Sequence, residues 1–230
     1  MDPIPPFTGF RPETILFLRE LKANNYREWF TDRKDVYQET LLNPFRALAV
    51  MLSPMMYGID PLFELQPAKM LSRIYRDIRF SPNKDPYKSS MWLSFQQKGT
   101  HWEETPGFFA ELECDNFTYG MGLYAPRRKV MDVFREEISY SQESFRKMAL
   151  QTTNAGFTVE GERYKREIPN DLPTFFQPWM QRKSCYLIKR IPVNDARIYS
   201  SAIALQLMDD FSQVADLYHF MMDVVKERSE

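Results

Sequence analysis

Apolar residues first recur at helical spacing beyond Pro12. Ile15, Leu16, Leu18 and Leu21 predict a helix to about Lys22, and Pro12 suits its first turn. Asn25 followed three positions later by Glu28 predicts an N-cap with its capping-box partner, opening a helix with Trp29, Phe30, Arg33, Tyr37 and Leu41 on one side. Asn43-Pro44 is expected to break or kink that helix, because Pro44 has no N–H and restricts the residue before it. A continuation with Phe45, Leu48, Ala49 and Leu52 is expected to end before Ser53-Pro54. From Lys69 the period changes: Met70, Ser72, Ile74, Arg76 and Ile78 alternate with Leu71, Arg73, Tyr75, Asp77 and Arg79, which predicts a strand, with a helical turn beyond Tyr75 as the equal alternative. Ser81-Pro82-Asn83-Lys84 reads as a type I turn, and residues 91–97 as a second strand.

The clearest hairpin follows. Phe108, Ala110, Leu112 and Cys114 alternate with Phe109, Glu111 and Glu113, and a turn at Asp115-Asn116 returns the chain through Phe117, Tyr119, Met121 and Leu123. Helices are predicted over 127–139 and 141–153, with Gly156 as a stop. Short strands are predicted within 157–164, a short aromatic helix after Pro173, a buried strand at 185–188 closed by Pro192, and one last helix from about Ser201 to Val225. No linker, repeat or low-complexity tract divides the chain. Hairpin-like strands between groups of helices, without regular strand-helix-strand units, predict an α+β fold: a mainly antiparallel sheet with a central hairpin, packed against several helices, in a single globular domain over 1–230.

Composition narrows the function classes. Hydrophobic residues at 43% and aromatic residues at 15% of 230 exclude a disordered or coiled-coil chain. Thirty basic against 31 acidic residues leave a net charge of −1, so no global field draws the protein to nucleic acid or anionic lipid. No apolar run approaches the roughly 20 residues of a membrane span, and the opening residues lack a secretory signal, so a soluble cytoplasmic protein with no membrane association is expected. Cys114, Cys185, His101 and His219 lack the pair spacing of a zinc site; no metal and no cofactor is expected, and both cysteines read as small buried hydrophobes. Gly120-Met121-Gly122 is no dinucleotide fingerprint and reads as a close backbone approach or a bulge.

Candidate chemistry gathers in residues 69–88. Six positive side chains (Lys69, Arg73, Arg76, Arg79, Lys84, Lys88) stand against Asp77 and Asp85, a local excess of four in a near-neutral protein. The arginines are interleaved with Ile74, Tyr75 and Ile78, so at least one guanidinium is expected against the core, where it needs acceptors. Asp77, lying among arginines, keeps its charge and suits orienting Arg73 or Arg79 better than accepting a proton. Two readings stand. In one, the cations pair with acids elsewhere, such as Glu28, Glu111 or Glu113, and pin strand to helix. In the other, Pro82 and Pro86 hold a preformed loop of donors around an anion, since a planar guanidinium favours phosphate or carboxylate.

Asn24-Asn25 with Trp29-Phe30, the run Arg73-Ile74-Tyr75-Arg76-Asp77-Ile78-Arg79-Phe80, and Asn83-Lys84-Asp85-Pro86-Tyr87-Lys88 together resemble the bacterial and fungal domain-of-unknown-function family 2461. Gly122-Leu123-Tyr124 with Pro126, and Phe7-Thr8-Gly9-Phe10, are similar to further parts of its pattern. The resemblance spans most of the chain and is most specific in the basic block. It implies a single cytoplasmic domain sharing this Arg-Asp-Lys-Tyr constellation, and no particular reaction. The expectation is a site for a phosphate- or carboxylate-bearing small molecule built from Arg73, Arg76, Asp77, Arg79, Lys84, Tyr87 and Lys88. The alternatives are an interaction module docking an acidic protein or nucleic-acid backbone, its basic stripe extending through Arg127, Arg128 and Lys129, or a purely structural ion-pair cluster.

Overall fold

A computed structural model of the chain describes residues 4–79, 82–100, 103 and 105–226. The expected turn at Ser81 and the residues Phe80, His101 and Trp102 therefore lie outside the described residues. The first helix, α1 (Pro12–Ala23), begins with Pro12 in its first turn, and the Thr14 hydroxyl oxygen accepts a bond from the Arg11 N–H at 3.2 Å. Ile15, Leu18 and Leu21 are buried, whereas Leu16 faces out. There follow α2 (Arg27–Asp32), α3 (Lys34–Tyr37), a π-helical turn Gln38–Leu42, and α4 (Asn43–Ile59).

The break expected at Asn43-Pro44 does not occur. Pro44 cannot donate to the Thr40 carbonyl four residues earlier, and the chain solves this twice. The wider π turn lets the Asn43 N–H reach the Gln38 carbonyl, and the Thr14 hydroxyl of α1 donates to the Thr40 carbonyl at 2.7 Å. Nor does α4 end at Ser53-Pro54; it runs through Pro54 to Ile59. The Val50 carbonyl that loses its donor there belongs to an exposed residue, where solvent can replace the missing bond.

The strands are β1 (Met91–Phe95), β2 (Gly107–Leu112), β3 (Asn116–Leu123), β4 (Thr158–Glu160) and β5 (Cys185–Pro192). They form a five-stranded antiparallel sheet in the order β1-β2-β3-β5-β4, so the fold is the expected α+β class. The predicted hairpin is β2–β3, closed by the Glu113 N–H on the Asn116 carbonyl at 2.9 Å. In the β4–β5 pair, Thr158 lies opposite Ile188 and Glu160 opposite Tyr186. The strand expected over 69–79 is absent. A short helix, α5 (Pro67–Met70), leads into single bridges that pair Leu71 with Leu93 and Tyr75 with Tyr87. The ladder fails for two reasons: the Trp92 N–H bonds the Ser72 hydroxyl, not a main-chain carbonyl, and Pro86 has no N–H with which to extend it.

The remaining helices are α6 (Arg128–Tyr140), α7 (Gln142–Asn154), α8 (Gln177–Met180), α9 (Ala202–Gln213) and α10 (Ala215–Lys226). The last helix, expected to be continuous, is broken at Val214, whose N–H turns back to the Phe211 carbonyl at 3.3 Å. α7 ends as predicted at Gly156. With φ at +83°, Gly156 lets its own N–H reach Thr153 and the Phe157 N–H reach Thr152, which satisfies two terminal carbonyls.

Two compact units can be distinguished. The first comprises the chain up to Phe95 with Phe109–Thr118 and Arg190–Met208; the second comprises Gln96–Phe108, Tyr119–Lys189 and the chain from Asp209 onward. In the first, Phe10 packs on Phe45 and Phe117 at 5.0 and 5.8 Å between centroids. In the second, Phe145 meets Phe134, Trp179 and Phe220. The second unit also buries a charge. Asp210, 2% exposed, accepts from the Tyr119 hydroxyl at 2.6 Å and from the Lys189 ammonium at 2.7 Å, and the ammonium donates again to the Ala155 carbonyl. Cys114 and Cys185 are both free and buried, as expected, and burial raises both thiol pKa values, that of Cys185 to about 12. Among the described residues no helix is long and apolar enough to cross a membrane, and no group of three or more His, Cys, Asp or Glu side chains is placed to hold a metal ion.

Two stability predictions follow from the second unit. Gly122 has φ +154°, and a Cβ there would lie 2.4 Å from the Tyr186 Cα, so the expected close approach is real. Gly122→Ala is expected to destabilise by at least about 1–3 kcal/mol in denaturant unfolding. Lys189→Met strands the buried Asp210 carboxylate and is expected to remove roughly 3–5 kcal/mol by the same measurement.

Candidate anion-binding site

Residues 71–79 run beside 86–93 in the first unit. Around the Tyr75–Tyr87 bridge, the Arg76 N–H donates to the Pro86 carbonyl at 2.9 Å and the Lys88 N–H to the Ile74 carbonyl at 2.8 Å. Asn25 completes this arrangement from the turn before α2. Its carboxamide N–H donates to the Tyr87 carbonyl and its oxygen accepts the Tyr87 N–H, both at 3.0 Å. Asn25 is therefore not the expected N-cap. That position is Tyr26, which makes no side-chain cap bond, so no capping box with Glu28 forms. An N-cap uses an oxygen alone, whereas an amide carries a donor and an acceptor and so can stand in for a neighbouring strand.

Aromatic packing fixes the other side. The Tyr87 ring, 4% exposed, stacks on Phe30 with centroids 4.2 Å apart, and Tyr37 meets Phe30 at 5.4 Å. Burial raises the Tyr37 hydroxyl to about 12, against the pull of Arg46. Burial, then the neighbouring Tyr75, also raise the Tyr87 hydroxyl, which favours its neutral form. Trp29 is buried beneath the Arg33 guanidinium, 4.5 Å from its ring, which makes it core and not a binding surface.

The seven candidate residues separate into two groups around buried Tyr87. At the exposed tip, the Arg79 Nε and Nη2 donate to the two Asp77 oxygens at 3.0 and 2.8 Å, and the Arg79 main-chain N–H adds a third bond to the same carboxylate. These bonds from Arg79 hold Asp77 down at about 2, so Asp77 orients Arg79 and not Arg73. The Lys84 ammonium donates to the Ile78 carbonyl at 2.8 Å, and the Asn83 side chain accepts the Asp85 N–H. The tip thus closes on itself.

At the base, Arg73, Arg76 and Lys88 are differently placed. Arg76 is half-buried; its Nη2 donates to the Tyr87 carbonyl at 3.3 Å, while its buried Nε has no partner among the described residues. The side chains of Arg73 and Lys88 make no hydrogen bond or ion pair among the described residues. The Lys88 ammonium is pushed below its usual value by burial first, then by Arg76, with Arg73 adding to the effect and Glu111 opposing it. Glu111 of β2 is raised chiefly by burial, against a Ser90 hydrogen bond and Lys88. Sequence reading gave Glu111 only as a structural partner and did not single out Ser90; the outward position of Glu111 in the β2 alternation was the available signal. A cleft of about 640 Å³ in the second unit is lined by Arg163, Glu167, Asn170, Gln177 and Gln181 among others, and none of the seven candidates lines it.

The tip yields a titration prediction. The Asp77 carboxyl is expected to titrate near pH 2 by NMR and to return toward its ordinary 3.8 in Arg79→Ala. Because its folded value is depressed, what this pair adds to stability is present above the ordinary value and lost as pH falls through about 2.

Comparison with curated proteins gives no match. A family profile described as "Conserved hypothetical protein (DUF2461)" matches residues 13–220, a span that includes α1 from its second residue, the Asn25 turn, the whole basic block and the sheet. The chain belongs to the DUF2461 family of conserved hypothetical proteins.

Proposed function

We propose that Arg73, Arg76 and Lys88 bind the anionic group, phosphate or carboxylate, of a small molecule. Tyr87 sets the direction of Arg76 through its carbonyl, whereas Asp77, Arg79 and Lys84 are bonded among themselves and to the Ile78 carbonyl and stand outside the site. The observation that carries this reading is a contrast within one loop: the tip cations are bonded, whereas Arg76 and Arg73 both repel Lys88 and Arg76 keeps a buried donor with no partner among the described residues. A buried donor left without a partner costs about 1–3 kcal/mol. An anion among these groups would offset their mutual repulsion, and a guanidinium fork suits two oxygens of one phosphate or carboxylate. The same charges would stabilise negative charge developing on a reacting group. Two free, buried cysteines support a reducing, cytoplasmic setting. A near-neutral chain favours a small anion over a nucleic-acid backbone, whose binding would fall steeply with salt.

Thermal denaturation tests the reading with inorganic phosphate, pyrophosphate and citrate. At least one should raise the wild-type Tm, by an amount that grows with concentration. Arg73→Ala and Arg76→Ala should abolish the response, and Arg79→Ala should retain it. A wild type indifferent to every anion, with Arg76→Ala several degrees less stable on its own, would establish the block as purely architectural.

A further inference from the structure

Tyr75 stands out among the side chains around the base cations. It is 58% exposed, yet it is held. Its ring centroid lies 5.5 Å from that of Tyr87 and 6.1 Å from that of Phe30, and those two buried rings are themselves stacked. The main chain on either side is tied by the Arg76–Pro86 and Lys88–Ile74 hydrogen bonds. Tyr75 is thus a ring backed by a rigid aromatic base, with much of its surface left to solvent. Ile78, 43% exposed, adds apolar surface three residues on. Arg73 and Tyr75 are the exposed residues flanking buried Ile74, and their Cα atoms are at most about 7 Å apart. A guanidinium with no partner among the described residues and an open, preorganised ring therefore sit within the length of one small ligand.

We infer that the anion bound at Arg73, Arg76 and Lys88 is the phosphate of a mononucleotide whose base stacks on Tyr75. This rests on the anion-binding reading and adds the ligand class to it. A purely aliphatic phosphate or carboxylate would satisfy the cations and leave the ring unused. In a nucleotide, the ribose joins a flat apolar ring to a phosphate at a distance a single arginine side chain can cover. Stacking tolerates any base, since each has a π-face, and a ring already fixed by Phe30 and Tyr87 loses little freedom on binding.

Calorimetric titration of the full chain with inorganic phosphate, ribose 5-phosphate and AMP separates the two layers of the argument. AMP is expected to bind about tenfold or more tightly than ribose 5-phosphate, the gain one stacked base brings. Tyr75→Ala should bring the two affinities together while leaving that for ribose 5-phosphate unchanged, and Tyr75→Phe should keep the difference. Circular dichroism of both variants checks that they fold. If AMP and ribose 5-phosphate bind wild type equally, or if Tyr75→Ala weakens both alike, the stacking inference falls and the anion site stands. If none of the three binds, the anion site falls, and the inference with it.

Discussion

One side-chain amide holds the candidate site in place. The carboxamide of Asn25 takes both main-chain groups of Tyr87, and the Tyr87 carbonyl offers its second lone pair to Arg76. Tyr87 is therefore fixed in register with Tyr75, its ring is pressed onto Phe30, and one arm of the Arg76 guanidinium is set in direction. Without a partner for that N–H and carbonyl, two backbone groups of a buried residue would be left to compete for water they cannot reach. A single amide thus couples the turn before α2 to a loop 62 positions away.

The distribution of charge around this anchor has a physical logic. At the exposed tip, where an ion pair adds little in water, geometry still favours Asp77 and Arg79, because the acceptor lies two residues away and a main-chain N–H shares it. Nearer the sheet, removal from water works against both kinds of charge: it lowers the proton affinity of Lys88 and raises that of Glu111. Each group therefore sits closer to its neutral form than it would in solution.

Much of the architecture was legible in the sequence, and the reasons for the failures are specific. Alternation along 108–123 gave the hairpin because Phe108, Ala110 and Leu112 on β2 and Phe117, Tyr119, Met121 and Leu123 on β3 are all buried, and periodicity reports burial. It does not report hydrogen-bond partners. The capping role assigned to Asn25 failed because the competing acceptor and donor, on Tyr87, are distant in sequence. Pro44 and Pro54 read as helix ends because a local rule cannot see that Thr14 supplies one missing donor and that an exposed helix face tolerates the loss of the other. The strand expected near Ile74 dissolved into single bridges because Pro86, read as a loop residue, also ends the ladder. In the basic block, sequence gathered seven candidate residues without dividing them, since only the folded structure shows that Arg79 and Lys84 are occupied by Asp77 and a carbonyl while the side chains of Arg73 and Lys88 have no such partner among the described residues.

The two cysteines have a practical consequence. Cys114 belongs to the first unit and Cys185 to the second, and each thiol is screened from solvent and held in its unreactive protonated form. Alkylating reagents attack only an accessible thiolate, so labelling at either position must wait for the surrounding backbone to open. The protein carries one native chemical clock per unit, and the two modification rates, resolved by mass spectrometry, read the opening frequency of each separately.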